Sequence, residues 1–301
     1  MIRSLLIPLL VIGCSTEVGL MGYVEKEQEE SALTDSAPAS NEEQEDTQQG
    51  EPEAPEDEIS DLTVGFAELH FRQIACQECL GVTSEIELTA EFRAHMPTAG
   101  DYTAHLPAAG TCTTNIYGTN VSVTPRSATQ VAYFNEIPLY PSSQGVWSNT
   151  NLYEYQYQRS TLHDITTEHG SINDAFVSLE GFDSIEPYTL LWVDPSYAYE
   201  AVVSKAGTTF SWSPVVPDSQ FEIIVAVYSS DGSTFLGAVS CMENDAGYLT
   251  IPGSYIQPYP SYSITAVHLI RHKEGLVESS DLGGMVQTHM MWEVIGTGHV
   301  E

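Results

Sequence analysis

Basic residues are scarce in this chain. Nine Lys+Arg stand against 42 Asp+Glu in 301 residues, for a formal charge of −33 at neutral pH. Such a field repels phosphate backbones and anionic headgroups, which argues against nucleic acid as a partner; it would attract divalent cations or a basic partner, but simple solubility is the plainer account of it. The excess has two sources. Between Glu25 and Asp61 there are 15 acids and one base, Lys26; from Leu62 to Glu301 there are 26 acids and seven bases. Long hydrophobic runs are also missing. The apolar stretch Leu5–Ile12 is far below the ~20 residues that a spanning helix needs. After residue 62 no amphipathic pattern of three helical turns occurs, so a helical bundle is excluded. His-Glu-x-x-His, Gly-x-Ser-x-Gly and Ser-x-x-Lys are all absent, and nothing points to a bound cofactor.

What is present begins at the first residue. Arg3 supplies a positive n-region, Leu5–Ile12 an apolar h-region, and Val11-Ile12-Gly13-Cys14 a small residue directly before a cysteine. This pattern reads as an export signal. The Val-Ile-Gly-Cys run resembles the lipobox of bacterial lipoproteins. That resemblance implies cleavage after Gly13 and acylation of Cys14, whose multiple chains would anchor the protein stably. The family's inner-membrane retention signal is Asp at the next position. Ser15 stands there, which implies the outer membrane, with the periplasmic or surface face left open.

Residues 14–61 then form the lipidated N-terminus and an acidic linker built from Glu, Gln, Ser, Ala, Pro, Asp and Thr. Such a composition buries too little apolar surface to offset ordering entropy and is expected to be a disordered tether. From Leu62 the texture changes to short runs rich in Val, Ile, Thr, Tyr and Phe between turn residues, which predicts an all-β sandwich or barrel. Strands are expected over Thr63–Ile74, Glu85–Ala94, Tyr102–Leu106, Thr111–Asn115, Ser127–Phe134, Tyr153–Tyr157 and Ala175–Leu179. The second half adds Tyr188–Val193, Glu200–Ser204, Thr208–Pro214, Gln220–Tyr228, Phe235–Cys241, Tyr248–Ile251, Ile264–His272 and Met285–Ile295. A division near residue 182 gives two β-sandwich modules, 62–181 and 182–301. The Phe210-Ser-Trp212-Ser-Pro214 strand, its Pro-rich turn and the long strand after it are similar to fibronectin type III and related immunoglobulin-like sandwiches. No tyrosine-corner context accompanies them. Phe210 and Trp212 share one strand face, so Trp212 is expected in the core of the second module.

Chemistry-bearing residues are few. Apart from Cys14, the cysteines are Cys76, Cys79, Cys112 and Cys241, an even number that in an exported protein points to disulfides. Cys76-x-x-Cys79 also has redox and metal-knuckle readings, with Cys112 and one of His70, His95 or His105 as further zinc ligands. No helix-opening context or named zinc spacing supports either. Cys112 is expected to bridge to Cys76 or Cys79. His163-Asp164 with Glu168-His169 offers the raw material of a metal-dependent hydrolase, or simply a polar loop. His268, His272 and His289 are expected to be hydrogen-bonded strand residues. Tyr153, Tyr155 and Tyr157 share a strand face that is either core or a sugar-stacking platform, and the wholly polar opposite face favours core. Tyr255, Tyr259 and Tyr262, in a Pro-punctuated loop, are the candidates for exposed ligand-stacking aromatics. Asp231-Gly232 and Asn244–Gly247 read as turns, not calcium loops. The expectation is a non-catalytic outer-membrane lipoprotein, held to the membrane by its lipid, that binds a protein or glycan or builds envelope structure. A carbohydrate-binding surface module and an exported hydrolase are the alternatives.

Overall fold

The computed structural model describes residues 62–74, 86–103, 106–116, 122–127, 129–156, 162–168, 171–177, 181–186, 200–279 and 282–301. Expectations for Cys14, the linker, Cys76, Cys79, His105, Tyr157, His169 and the Tyr188–Val193 strand lie outside these residues. The described chain is all-β, as its composition predicts. In order come β1 (Thr63–Ile74), β2 (Ile86–Thr98), β3 (Thr111–Thr113), β4 (Ala132–Phe134), β5 (Ile137–Ser143) and β6 (Val146–Leu152). They are followed by β7 (Leu162–Thr167), β8 (Ser171–Val177), β9 (Ser184–Glu186), β10 (Glu200–Val203) and β11 (Gly207–Ser213). The last are β12 (Gln220–Tyr228), β13 (Phe235–Asn244), β14 (Tyr248–Pro252), β15 (Ile264–Ser279) and β16 (Gly284–Val300). A 3-10 turn at Glu154–Gln156 and a one-turn helix α1 (Gly253–Ile256) interrupt them.

Thirteen strands form one mixed sheet in the order β3-β13-β12-β15-β16-β1-β2-β6-β5-β4-β7-β8, with β10 also paired to β16. The β15–β16 hairpin is its spine, in register from Ile264↔His299 to Ser279↔Gly284. β1 joins this spine in parallel, Phe66↔Gln287 through Ile74↔Ile295. The division expected at residues 181–182 therefore marks no break in the hydrogen-bonded ladder. Strands from both sides of it share the sheet and one hydrophobic cluster. β14, β11 and β9 form a second sheet.

Period-two alternation decides which side of the large sheet is apolar. Phe221, Ile223, Val225 and Val227 on β12, Val267 and Leu269 on β15, Met290, Trp292 and Val294 on β16, and Leu69 and Phe71 on β1 are all buried. The second sheet packs on this face. Trp212 stacks on Phe221 with ring centroids 3.4 Å apart, and Phe182 meets Phe221 edge-on at 5.6 Å. Trp212 thus lies in the core, as its strand pattern predicts, and β11 and β12 face one another across the layers.

Of the expected Tyr102–Leu106 strand, the described residues are not in a strand: Tyr102 and Thr103 form a turn in which Tyr102 stacks on Phe66 and its N–H donates to Gln287 Oε1 at 3.0 Å. Conversely, β5 and β6 form a hairpin that turn-rich sequence conceals. Gly145 closes it at φ 71°, where an added Cβ would lie 2.8 Å from the carbonyl oxygens of Ala94 and Arg126.

Cys112 does not pair with Cys76 or Cys79. It is bonded to Cys241. The reason is register: β3 docks on the edge of β13 with Cys112 opposite Cys241, Cα atoms 4.0 Å apart. A disulfide-bonded sulfur also cannot serve as the thiolate of a zinc site with His70 or His95.

Two outcomes follow for stability. The bridge spans a sequence separation of 129, so its loss should cost about 5 kcal/mol in the loop-entropy description. Urea denaturation of Cys112→Ser/Cys241→Ser against wild type measures this, and equal midpoints would refute it. Trp212→Ala removes a ring that its neighbours cannot refill and should cost about 3–5 kcal/mol. A melt within a degree or two of wild type would place Trp212 outside the core.

Candidate functional site: a buried histidine–glutamate ladder

The other face of the large sheet carries the chemistry. In register across it run Glu222 (β12), Ile270 (β15), Glu293 (β16), Arg72 (β1) and Glu87 (β2). Two residues along is the row Gln220, His272, Met291, His70, Thr89, and beyond that Glu274, His289, Glu68, Glu91. Diagonal neighbours of this kind lie about 7–8 Å apart at the backbone, within reach of long side chains. Glu68, His70, Glu222, His272, His289 and Glu293 are nevertheless all buried.

One hub is Glu293. Its Oε2 lies 2.7 Å from His70 Nε2 and accepts from Arg72 Nε at 2.9 Å, while Oε1 lies 2.5 Å from His268 Nδ1. Arg72 also donates to Glu87 at 3.1 Å. Burial works to raise the Glu293 carboxyl, but the hydrogen bonds and charges of His268 and His70 outweigh it and hold the group well below its ordinary range.

The second feature is a chain of contacts. Glu68 Oε2 is 3.3 Å from His289 Nδ1, His289 Nε2 is 2.9 Å from His272 Nδ1, and His272 Nε2 is 3.1 Å from Glu222 Oε2. Ser240 Oγ donates to the other Glu222 oxygen. The two imidazoles are nearly coplanar, with an interplanar angle of 8°. Three contacts need three hydrogens, and two neutral imidazoles carry two, so one further proton shared along the chain completes it. A second added proton is resisted. Burial first, and then the charge of His289, hold His272 below the usual imidazole range against the pull of Glu222. Glu68 is held low by the hydrogen bond and charge of His289, which overcome its burial. His272 also borders an acidic cleft of about 510 Å³ lined by Asp218, Asn244, Asp245 and Glu274.

In chemical terms this network orders protons and charges. Ser240 is buried and donates to a carboxylate, not to an imidazole, so the serine–base geometry of nucleophilic catalysis is not formed here. Among the described residues no group of three or more His, Cys, Asp or Glu is placed to hold a metal.

The residues singled out in the sequence separate. His163 is buried on β7, 3.1 Å from Asn135 Nδ2 and packed on Phe134. His95 is buried, with Nδ1 2.8 Å from the Met96 carbonyl. His268, His272 and His289 are hydrogen-bonded strand residues, as expected. Tyr153 and Tyr155 are not core: they are 64% and 76% exposed and stack on each other at 5.6 Å. The 3-10 turn at Glu154–Gln156 replaces the expected strand and abolishes its alternation. Tyr255 and Tyr259 are not exposed platforms either. Both pack against the core, and the Tyr255 hydroxyl donates to the Cys112 carbonyl at 3.1 Å. Tyr262, at φ 65°, is 73% exposed. Asp231 serves a turn, where hydrogen bonds from Ser229 and Ser233 lower its pKa to about 2. Glu68, Glu222 and Glu293 escaped the sequence reading. For Glu293 the signal was the alternation Gln287, His289, Met291, Glu293 against Val286, Thr288, Met290, Trp292 on β16.

No protein-family model matches this chain, and no curated protein matches it in sequence.

The ladder makes acid unfavourable. Because folding holds His272 low, the unfolded chain takes a proton below about pH 6.5 that the folded chain refuses. Stability should therefore fall as pH drops through that range, and fall again below about pH 4.5, where the unfolded chain protonates Glu68 and Glu293 while folding still holds them ionised. Urea midpoints from neutral to mildly acidic pH test this, with His272→Gln expected to flatten the first step. A wild-type midpoint unchanged across that step would refute the assignment.

Proposed function

We propose that the chain is an exported, non-catalytic lipoprotein that presents an acidic all-β body on a tether at the outer membrane. It would bind a partner or contribute to envelope structure. The observation that supports this most is the closed character of the ladder: imidazoles and carboxylates are engaged with one another in the buried sheet face, and Ser240 is tied to Glu222. The Cys112–Cys241 bridge fits an oxidising compartment. The membrane partner is the bilayer itself, through lipid on Cys14; nucleic acid is disfavoured by the charge of −33. The hydrolase alternative loses support because His163 is buried against Asn135 and Phe134.

A second reading, a carbohydrate-binding surface module with immunoglobulin-like or fibronectin-like affinities, is favoured by one observation. The exposed, stacked Tyr153 and Tyr155 rings offer flat apolar faces of the kind on which sugars stack.

Cys14→Ala should move the protein from the membrane fraction to the soluble one, since acyl burial holds it there. Sedimentation of the variant with membranes at high salt would refute the lipid anchor. Protease shaving of intact cells then reports the face. Glycan-array binding lost in Tyr153→Ala/Tyr155→Ala would select the second reading; retention of wild type on no glycan would reject it.

A further inference from the structure

At the end of the sheet away from the acidic cleft, the ladder face changes character. Directly paired residues point to the same side, and one such row crosses five strands: Phe235 (β13), Tyr228 (β12), Ile264 (β15), His299 (β16) and Val202 (β10). Phe235, Ile264 and Val202 are 45%, 37% and 38% exposed, and the Phe235 ring meets Tyr228 edge-on at 5.5 Å. Tyr262, two residues before Ile264, adds a fourth exposed apolar side chain at the same end. Scattered exposed apolar residues are ordinary on a protein surface. The row runs in register from Val202 to Tyr228, and across the bulge that follows, the ring contact with Tyr228 keeps Phe235 beside it; a contiguous strip of this kind marks an interaction surface.

Charge decides what fits it. Every described lysine and arginine is buried or half-buried, and Arg271, Arg72 and Arg93 are committed to carboxylates. Carboxylates stand at the rim instead: Asp231 in the turn between β12 and β13, and Glu301 just beyond His299, are exposed. A second copy of this chain would bring the same negative field to the contact, and so would an anionic bilayer. We infer that this strip docks a protein segment that is apolar at its centre and basic at its margins. The inference rests on the binding-module reading and gives it a partner chemistry.

The test uses the purified full chain and three labelled peptides, read by fluorescence anisotropy. One alternates valine and lysine around a central tryptophan; the second replaces lysine with glutamate; the third replaces the apolar residues with serine. The first should bind wild type and weaken with salt, and Phe235→Thr/Ile264→Thr should lose about tenfold in affinity. Threonine keeps the strand propensity, and Val202→Thr/Phe235→Thr is the second variant should the first melt early. The serine peptide should not distinguish wild type from variant. Equal binding of the lysine and glutamate peptides, or of wild type and both variants, would overturn the inference. So would a concentration-dependent dimer in sedimentation velocity that the variants abolish, which assigns the strip to a second copy. Membrane fractionation of Cys14→Ala judges the tether separately from all of these outcomes.

Discussion

The two sheets are fastened together by one buried ion pair. Arg271 lies on the apolar side of β15, fully buried, and donates from Nε to Asp245 at 2.8 Å. Its other nitrogens reach the carbonyls of Gly181 and Pro214, and its guanidinium lies 4.4 Å over the Phe182 ring. Asp245 in turn accepts from Trp212 Nε1 at 2.7 Å, from the Val216 N–H and from Ser219 Oγ. These two residues together meet β15, the strand bearing Trp212, the Pro-rich turn and the segment that opens β9. Desolvating an isolated charge is costly, so such a pair persists only where the remaining donors and acceptors are also satisfied. Here each of the three guanidinium nitrogens and both Asp245 oxygens has a partner. Gly181 fits the same arrangement: an added Cβ would lie 2.6 Å from the Trp292 ring.

The ladder on the opposite face obeys the same logic at larger scale. Apolar side chains there would give a sheet greasy on both sides, able to slip register with little penalty. Paired carboxylates and imidazoles penalise a slip severely, because a shift of one residue would leave Glu293 without His70, Arg72 and His268 at once. This gives a physical reason for the long parallel pairing of β1 with β16, a contact that joins residues more than 200 positions apart. Parallel ladders are the less stable kind per residue. The Glu293–Arg72 and Glu68–His289 contacts cross that junction and reinforce it.

Strand identity was largely legible in the sequence, because alternation and β-branched runs are local signals. β1, β11, β12, β13, β15 and β16 fall where the pattern predicts them. What was not legible is pairing. The alternation of Ile223 and Val225 places them on one face but says nothing about which strand they meet, and no local signal announces that β1 joins β16. The disulfide failed for that reason: proximity in sequence favoured Cys76 or Cys79, whereas sheet order brought Cys112 to Cys241. Tyr153 and Tyr155 failed differently. A three-residue 3-10 turn suffices to cancel a period-two argument, and Leu152 before it takes the buried place instead. The site was legible as a set of histidines without hydroxyl or thiol partners. Its carboxylate half stayed hidden, since a glutamate in a strand reads as solvent-facing until its neighbours across the sheet are known.

These features assign different work to different parts of one sheet. The apolar side holds the core, the middle of the other side holds the ladder, and the far end of that side leaves a strip of Phe235, Ile264 and Val202 at the surface. Apolar area on an acidic body is a liability only if it finds copies of itself. A field set by −33 charges opposes that encounter while leaving an oppositely charged partner free to approach, faster at low salt than at high. The charge that repels phosphate backbones and anionic headgroups would, on the proposal made for the strip, also filter protein partners, the strip supplying contact area and the rim supplying selectivity. On such a surface most of the affinity would come from Phe235 and its neighbours, and most of the discrimination from the exposed carboxylates of Asp231 and Glu301 at its rim.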